Sequence, residues 1–435
     1  MRPAGRTVIL ATVLFVVSLV LPFFPNVQPL FLLVLSLVVF VVLLDAALLL
    51  LPLKVEFWRE VPERFALLEK GKVGLTFLNH SRLPIRLRFY DGLPEEATSV
   101  DMPLFMARLK PGEYLKTEYG LTFQRRGRHT IENAHCEAYS LLGLWWKNGR
   151  LAGEDEVKVF PNYVPALNYG LLATADRAEM MGIVKPRNRG VSKEFHQLRD
   201  YHDGDALSQV DWKATARMRK LITREYQEER DQSILIVADC SMRTRALDDG
   251  LPLLEHLLNA AILISYIAVG QGDKVGVMSF GGEERFLPPV KGGHAMSTIL
   301  NHLYDYQGSR SYGDYADLLS RISRLQTKRS LIILLTNLRS EDQFEAVEVL
   351  RELRQKHLVL LASVQENTVK NALNKELMTT EDAEAYLGAL TYQQDIEALL
   401  KKAQGAGLDT IYESLDRFPI ALANQFLDLR SSGRF

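Results

Sequence analysis

Two long apolar runs at the N-terminus constrain this chain more than any other feature. Residues 8–24 and 30–53 are dominated by aliphatic and aromatic side chains, and each run is close to the roughly 20 residues that a helix needs to cross a bilayer. Between them, residues 25–29 read Pro-Asn-Val-Gln-Pro, a composition typical of a turn. The sequence therefore predicts a transmembrane helical hairpin, two helices within residues 1–54.

The basic residues around the hairpin predict its orientation. Arg2 and Arg6 precede the first run, Lys54, Arg59 and Arg64 follow the second, and the turn carries no charge. By the positive-inside rule, both ends of the hairpin then face the cytoplasm. A cleaved signal peptide would have one shorter apolar run and a small-residue cleavage site. We therefore predict a two-pass protein of the inner or plasma membrane, with its soluble domains in the cytoplasm.

Charge and cysteine content narrow the function classes. The chain has 52 basic and 53 acidic side chains, a balance that disfavours a nucleic-acid binder, because such proteins are usually basic. Its two cysteines are too few for a disulfide scaffold or a Cys-based zinc site, and they suit a reducing compartment. A length of 435 residues allows two or three domains.

The hydrophobic pattern after the hairpin changes twice along the chain. Residues 55–165 contain short alternating stretches separated by turn signals, for example at 73–78, 85–90 and 114–123, which is typical of an antiparallel β-sandwich. We interpret residues 166–231 as a linker and signature segment, with one short helix early in the linker.

Residues 232–435 alternate strand and helix patterns, which predicts an α/β domain with a mostly parallel, Rossmann-like sheet and C-terminal helices. The predicted strands include residues 233–238, 274–280, 331–336 and 358–364. In such sheets, ligands bind where the carboxyl ends of the strands emerge.

Polar side chains follow two of these strands at that edge. Asp239 and Ser241 follow the first strand and resemble the opening of the metal-adhesion motif of von Willebrand factor A domains, Asp-x-Ser-x-Ser. Hydroxyl and carboxylate oxygens are ligands that Mg²⁺ prefers. The second serine is replaced by Arg243, and Asn337 beside Thr336 stands where the motif has Asp. We expect a degenerate site without a cofactor, and Mg²⁺ at Asp239 and Ser241 is the alternative.

A third loop adds one more candidate. Where the motif has a Gly-Thr pair before a helix, residues 311–314 read Ser-Tyr-Gly-Asp. Asp314 therefore joins Asp239, Ser241, Thr336 and Asn337 as a candidate partner-binding or metal-binding residue.

The segment before the α/β domain carries a more distinctive pattern. Its members are Arg199, Tyr201, Gly204, Asp205, Asp211, Trp212 and Arg217. The spacing resembles the signature of a bacterial family called domain of unknown function 58, Arg-x-Tyr-x-x-Gly-Asp followed by Trp and Ala-Arg. The resemblance implies a membrane hairpin, a β-sandwich and a von Willebrand factor A-like domain, in that order. Ser208 departs from the arginine usual in the family after Gly-Asp.

The signature has three interpretations on sequence alone. Its charges, with Arg224 and Glu225, are predicted to form a buried ion-pair network that holds the segment in place. Alternatively, Tyr201, Trp212 and Arg217 form a partner-binding surface, since aromatic residues and Arg anchor interfaces. The third interpretation makes Asp203, Asp205 and Asp211 catalytic carboxylates. The charged run over residues 217–231 is predicted to be a solvated or internally paired helix.

The sequence favours a binding protein over an enzyme. It has no Gly-x-Ser-x-Gly elbow, Walker A loop or His-Glu-x-x-His motif, so we assign no catalytic residue. We expect a membrane-anchored scaffold whose partner binds at the Asp239–Ser241 edge. The resemblance implies a MoxR-type AAA+ ATPase and a transglutaminase-like membrane protein as partners, in a cell-envelope or stress-related assembly. The alternative is a divalent-metal-dependent hydrolase that uses Asp205, Asp211 and Asp239.

Overall fold

The protein divides into two compact units. The computed structural model describes the chain except residues 21–22, 51–53, 101–104, 152, 166–167, 169–192, 203–206, 208–209, 229–231, 249, 343–344, 433 and 435. We call Met1–Phe160 the β unit and Pro161–Phe435 the α/β unit. The helices are α1 (Gly5–Val20), α2 (Gln28–Leu50), α3 (Trp212–Met218), α4 (Leu253–Gly270), α5 (Ala295–Leu303), α6 (Tyr315–Leu325), α7 (Glu345–Arg354), α8 (Asn367–Asn374), α9 (Thr380–Gly405) and α10 (Phe418–Ser431).

The two N-terminal apolar runs form helices, as predicted. Within the described residues, two helices are long and apolar enough to cross a membrane, α2 and α4. Only 11% of the α2 window is buried against 72% for α4, so α4 is a core helix and α2 exposes its apolar side chains. The first apolar run gives the shorter α1, of 16 residues. The exposed apolar surface of α1 and α2 suggests membrane association.

The β unit contains eleven strands in two sheets across its described residues. They are β1 (Arg2–Pro3), β2 (Val55–Glu60), β3 (Arg64–Ala66), β4 (Gly71–Asn79), β5 (Ile85–Gly92), β6 (Ala97–Val100), β7 (Phe105–Leu109), β8 (Tyr114–Phe123), β9 (Gly127–Tyr139), β10 (Trp145–Leu151) and β11 (Asp155–Phe160). One sheet has seven strands and the other has the order β2-β4-β8-β6. All the pairs are antiparallel except β11 with β3. The predicted strands at 73–78, 85–90 and 114–123 are confirmed.

Aromatic side chains join the two sheets of the β unit. Phe57 and Phe77 from the four-stranded sheet pack on Phe89 of β5, with ring centroids 5.4 and 5.0 Å away. Alternate residues of a strand point to opposite faces of a sheet, so the apolar half of each alternating stretch lies in this core.

The α/β unit is built on a six-stranded sheet. Its strands are β14 (Ser233–Asp239), β17 (Lys274–Phe280), β18 (Phe286–Val290), β19 (Leu331–Thr336), β20 (Leu358–Gln365) and β21 (Asp409–Ser414), and β15 (Leu247–Asp248) and β16 (Leu251–Pro252) form a small ribbon. The order is β18-β17-β14-β19-β20-β21, and β18 is antiparallel to the otherwise parallel strands. Helices α6, α7 and α9 share a buried apolar cluster with the sheet. Its strands are continuous apolar runs because both faces are buried.

The signature segment differs from its predicted secondary structure. Strand β12 (Lys193–Asp200) pairs antiparallel with β13 (Ile222–Glu228), and α3 lies between them. The helix predicted over residues 217–231 is therefore wrong at 222–228, because pairing with a strand about 30 residues upstream overrides local helix propensity. Arg219, with φ of 55°, ends α3 in the left-handed region. The predicted short linker helix falls mostly outside the described residues.

Candidate functional site

The carboxyl ends of the parallel strands bring three candidate side chains together. Asp239 ends β14 and lies in register with Phe280 of β17, and Thr336 ends β19 on the other side. The Thr336 hydroxyl donates a hydrogen bond to Asp239 Oδ2 at 2.5 Å, and the Ser241 backbone N–H donates to Asp239 Oδ1 at 2.8 Å. The Asp239 side chain is fully buried, so its charge needs a partner.

That partner is the arginine that departs from the metal-adhesion motif. Arg243 Nε lies 3.6 Å from Asp239 Oδ2. A second guanidinium nitrogen of Arg243 donates to the hydroxyl of buried Tyr315 at 2.7 Å, and the guanidinium carbon lies 5.4 Å from the centre of that ring. These contacts fix a positive charge beside the carboxylate.

The donor set fits a divalent cation poorly. A guanidinium fixed beside Asp239 repels an ion at that carboxylate. Within the described part of the chain, no group of three or more His, Cys, Asp or Glu side chains is placed to hold a metal ion. The described residues at this edge therefore do not fit a bound divalent cation.

Two buried polar atoms at the edge have no hydrogen-bond partner among the described residues, Ser241 Oγ and Asn337 Oδ1. The amide nitrogen of Asn337 donates to Glu366 Oε1 at 2.7 Å, and Arg339 pairs with the same oxygen at 2.9 Å. An aspartate at position 337 would place a second carboxylate against Glu366. The amide of Asn337 instead offers a hydrogen-bond donor to Glu366, the residue that follows β20.

Asp314 has a local structural role. Its carboxylate accepts hydrogen bonds from the backbone N–H groups of Ala316 at 2.8 Å and Asp317 at 3.0 Å, which caps the N-terminus of α6. The carboxylate is therefore committed to the helix.

The loop before α6 packs against the turn after β14. The Met242 N–H donates to the Ser311 carbonyl at 2.9 Å. A Cβ at Gly281, where φ is +71°, would lie 2.6 Å from the Ser241 Cβ and 3.1 Å from the Gly313 Cα. Only glycine fits this approach, which sets the three loops close together.

The joined loops expose four side chains that the sequence did not single out as site residues. Tyr312 is 73% exposed and Met242 is 40% exposed. Arg245 and Arg310 are also exposed, and the stem of Arg245 packs close to Gly308. We call Met242, Arg245, Arg310 and Tyr312 the edge surface. Met, Arg and Tyr in these loops are residue types that mark interfaces, so the sequence carried a signal for this surface. Only the contacts between the loop after β14 and the loop before α6 bring the two loops together.

Trp212 and Arg217 of the signature are exposed, whereas Arg199, Tyr201 and Asp211 are half-buried. The Asp211 carboxylate accepts from the Ala214 N–H at 2.9 Å and caps α3, which buries none of its side chains. Trp212 is 65% exposed, and Arg217 is exposed and therefore lies outside any buried ion-pair network. Arg199 donates to the Asp200 carbonyl at 3.1 Å.

Other signature residues have less structural description. The Tyr201 N–H donates to the Leu221 carbonyl at 3.0 Å. Asp203, Gly204, Asp205 and Ser208 lie outside the described residues, as do the side chains of Arg224 and Glu225. Of the carboxylates in the hydrolase alternative, Asp211 serves as a helix cap and Asp239 is paired with Arg243.

A family comparison bears directly on the signature. Residues 197–388 match the model of the family described as "Protein of unknown function DUF58". This segment belongs to the DUF58 family. The family prediction is thereby confirmed. The chain is also similar to the "Uncharacterized protein YeaD" of Bacillus subtilis (strain 168), 22% identical over 290 residues, which is 64% of this chain and 69% of that protein.

Solved structures give weaker likenesses to this chain. An aerotolerance-related membrane protein from Bacteroides fragilis is 16% identical over 46% of this chain and 98% of that one, with a TM-score of 0.29. Proximal thread matrix protein 1 from the mussel byssus is 12% identical over 47% of this chain and 48% of that one, with a TM-score of 0.31.

Proposed function

We propose that this protein is a membrane-anchored scaffold that binds a protein partner through the edge surface. The observation that carries the proposal is the Arg243–Asp239 pair, a cation from the protein fixed beside the carboxylate that would otherwise ligate an ion. The edge is thus organised without a metal. Around the pair, the edge surface exposes Met, Tyr and Arg, three residue types enriched in interfaces.

The strand orders support the fold classes that we propose for the two units. In the α/β unit, β14 is central and one antiparallel strand lies at the edge, as expected for a von Willebrand factor A-like domain. In the β unit, two sheets packed through aromatic rings support a β-sandwich. The apolar helices α1 and α2 support a two-pass anchor, with the soluble units in the cytoplasm of an inner or plasma membrane.

We propose a MoxR-type AAA+ ATPase as the partner, with a transglutaminase-like membrane protein in the same cell-envelope or stress-related assembly. This choice comes from the family resemblance. Arg245 and Arg310 favour an acidic patch on the partner, because opposite charges steer encounter and fix the docking register. Tyr312 and Met242 would fill apolar contacts beside that patch.

Charge reversal at the edge surface tests the proposal. Full-length protein in detergent is titrated against the purified MoxR-type ATPase from the same organism. We expect Arg245→Glu combined with Arg310→Glu to weaken binding at least about tenfold, because the variant sets like charges against the acidic patch.

The matched control for that experiment is Arg324→Glu. Arg324 is exposed in the last turn of α6, next to Gln326, whose side chain donates to Ser233 Oγ at 3.2 Å at the start of β14. The control therefore reverses a charge near the amino ends of the strands, and binding should persist. Equal binding by all three proteins would overturn the proposal, as would substrate turnover abolished by a chelator, which would favour the hydrolase.

A further inference from the structure

One turn of the β unit holds both N-terminal helices. The Trp145 indole N–H donates to the Val42 carbonyl of α2 at 3.1 Å, and the Leu142 N–H donates to Asp45 Oδ1 at 3.0 Å. The Ala4 N–H, just before α1, donates to the Leu144 carbonyl at 2.8 Å. We call residues 140–144, between β9 and β10, the docking turn.

Helix length places the docking turn at the depth of the membrane interface. Helix α1 has 16 residues, about 24 Å at about 1.5 Å per residue. The part of α2 before its contact with Trp145, residues 28–41, is about 21 Å long. Both lengths fall short of the hydrocarbon thickness of about 30 Å, so a hairpin that spans the bilayer draws the docking turn into the interface. The exposed side chains of Leu141 and Leu142 in that turn suit such a position.

A cleft lies beside the end of α2 at the same level. Its volume is about 370 Å³, and its lining includes Leu48 and Leu49 of α2 and Leu141 of the docking turn. The remaining lining includes Lys54 and Arg82. One side of the cleft is therefore apolar and the other basic.

The basic side of the cleft has uncompensated charge. Lys54 and Arg82 are exposed, and neither forms an ion pair with a carboxylate among the described residues. His80 also lines the cleft, and its imidazole lies 2.6 Å from the carboxylate of Glu56. That carboxylate is therefore paired with His80 and not with Lys54 or Arg82. Two free cations beside an apolar wall match the phosphate and acyl chain of a phospholipid.

We propose that this cleft binds one anionic phospholipid. Lys54 and Arg82 receive the headgroup phosphate, and Leu48, Leu49 and Leu141 contact the first part of an acyl chain. The site rests on the membrane association of α1 and α2 and is independent of the partner-binding edge surface. A bound lipid there would fix how the β unit meets the bilayer.

Lipid binding to the full-length protein tests the site. The protein in a nonionic detergent is titrated with phosphatidylglycerol or phosphatidylcholine, and bound lipid is counted by native mass spectrometry. We expect phosphatidylglycerol to bind more tightly. Each neutralised cation should cost about fivefold in affinity, or about 1 kcal/mol, so Lys54→Gln with Arg82→Gln should lose about 25-fold.

Controls separate the lipid site from general charge effects. Arg150→Gln neutralises an exposed arginine near the far end of β10 and should keep the preference. Inorganic phosphate should not displace the lipid. Equal binding of the two lipids to wild type, an unchanged preference in the double variant or in Arg82→Gln alone, or equally tight binding of inorganic phosphate would each overturn the proposal. Unchanged circular dichroism verifies that the variants fold.

Discussion

Two buried arginine–aspartate pairs in this protein have the same chemistry and different surroundings. In the β unit, Arg59 pairs with Asp91 and Asp155 and donates to the carbonyls of Glu132 and Gly153 at 2.9 and 2.7 Å. In the α/β unit, Arg243 lies 3.6 Å from Asp239.

The surroundings separate a structural network from a candidate binding site. Asp91 also accepts from the Tyr119 hydroxyl at 2.5 Å, so the first network links strands of both sheets in the β unit. At the second pair, Ser241 Oγ and Asn337 Oδ1 are buried without a hydrogen-bond partner among the described residues. Arg59 Nε of the first network is also buried without a partner among the described residues, so unsatisfied atoms do not by themselves separate the two pairs. The difference lies in the exposed Met242 and Tyr312 beside the second pair, which are residue types that suit a binding surface.

The largest expected effect comes from breaking the first network. Arg59→Met leaves the buried carboxylate of Asp91 without its cation and should destabilise the β unit by about 3 to 5 kcal/mol. Urea unfolding of the full-length protein, followed by tryptophan fluorescence, measures this loss, because three of the four tryptophans lie in the β unit. Adding Asp91→Leu should recover much of it. A change below about 1 kcal/mol in Arg59→Met would show that the network is not structural.

Buried titratable groups should make the stability of both units depend on pH. Burial lowers the pKa of His357 in the α/β unit to about 4. Below pH ~6.5 the unfolded chain binds a proton at His357, whereas the folded chain binds it only near pH 4. The free energy of unfolding therefore falls by on the order of 3 kcal/mol as the pH falls from ~6.5 to about 4.

Burial and the Asp91 charge raise the pKa of Tyr119 in the β unit. The stability that depends on its protonated hydroxyl is therefore present below pH ~10 and is lost as the pH rises further. Thermal unfolding across pH measures both effects. His357→Leu should reduce the loss of stability at acidic pH, and Tyr119→Phe should reduce the alkaline loss of the β unit. Burial also raises the pKa of Tyr306 and Tyr412, so the α/β unit should keep its own alkaline loss in the Tyr119→Phe variant. Unchanged profiles would contradict these assignments.

Replacing Arg243 with serine should allow Mg²⁺ to bind beside Asp239. Arg243→Ser leaves Asp239 without its cation and should cost about 2 kcal/mol in the absence of divalent ions. Mg²⁺ should restore part of that loss in the variant and leave wild type unchanged, because only the variant offers the Asp-x-Ser-x-Ser motif. Thermal unfolding with and without Mg²⁺ measures this. Stabilisation of wild type by Mg²⁺ would contradict our account of the edge.

The smallest expected effect is at Ser241. Because its hydroxyl has no hydrogen-bond partner among the described residues, Ser241→Ala should change stability by less than about 0.5 kcal/mol. Thr336→Val removes a donor to buried Asp239 and should cost about 1 to 2 kcal/mol. Denaturant unfolding of both variants compares them directly. A larger loss in Ser241→Ala would indicate a partner for this hydroxyl.

Sequence periodicity predicted the strands β14 and β19 and the edge of the sheet at which their carboxyl ends meet. The apolar runs at 233–238 and 331–336 are strands buried on both faces, and parallel pairing necessarily brings their carboxyl ends together. The contact between Asp239 and Thr336 follows from that geometry. The replacement of the second serine of the motif by Arg243 marked the same edge as different from a standard metal-adhesion site.

Contacts between segments that lie far apart in the chain could not be predicted from the sequence. Arg59 reads as a flanking charge of the hairpin, yet its partners Asp91 and Asp155 lie 32 and 96 positions away. Strand β13 follows a basic run that resembles a helix, and only pairing with β12 fixes it as a strand. The direction of the Asn337 amide towards Glu366 likewise depends on a third loop.

Photocrosslinking at the edge surface tests the central claim most directly. A photoreactive phenylalanine analogue replaces Tyr312 in the membrane-bound protein in cells, and a matched analogue replaces the exposed Leu325 at the end of α6. Our account predicts a crosslink to the MoxR-type ATPase from position 312 and none from position 325. A crosslink to that ATPase from position 325 and none from position 312 would contradict it.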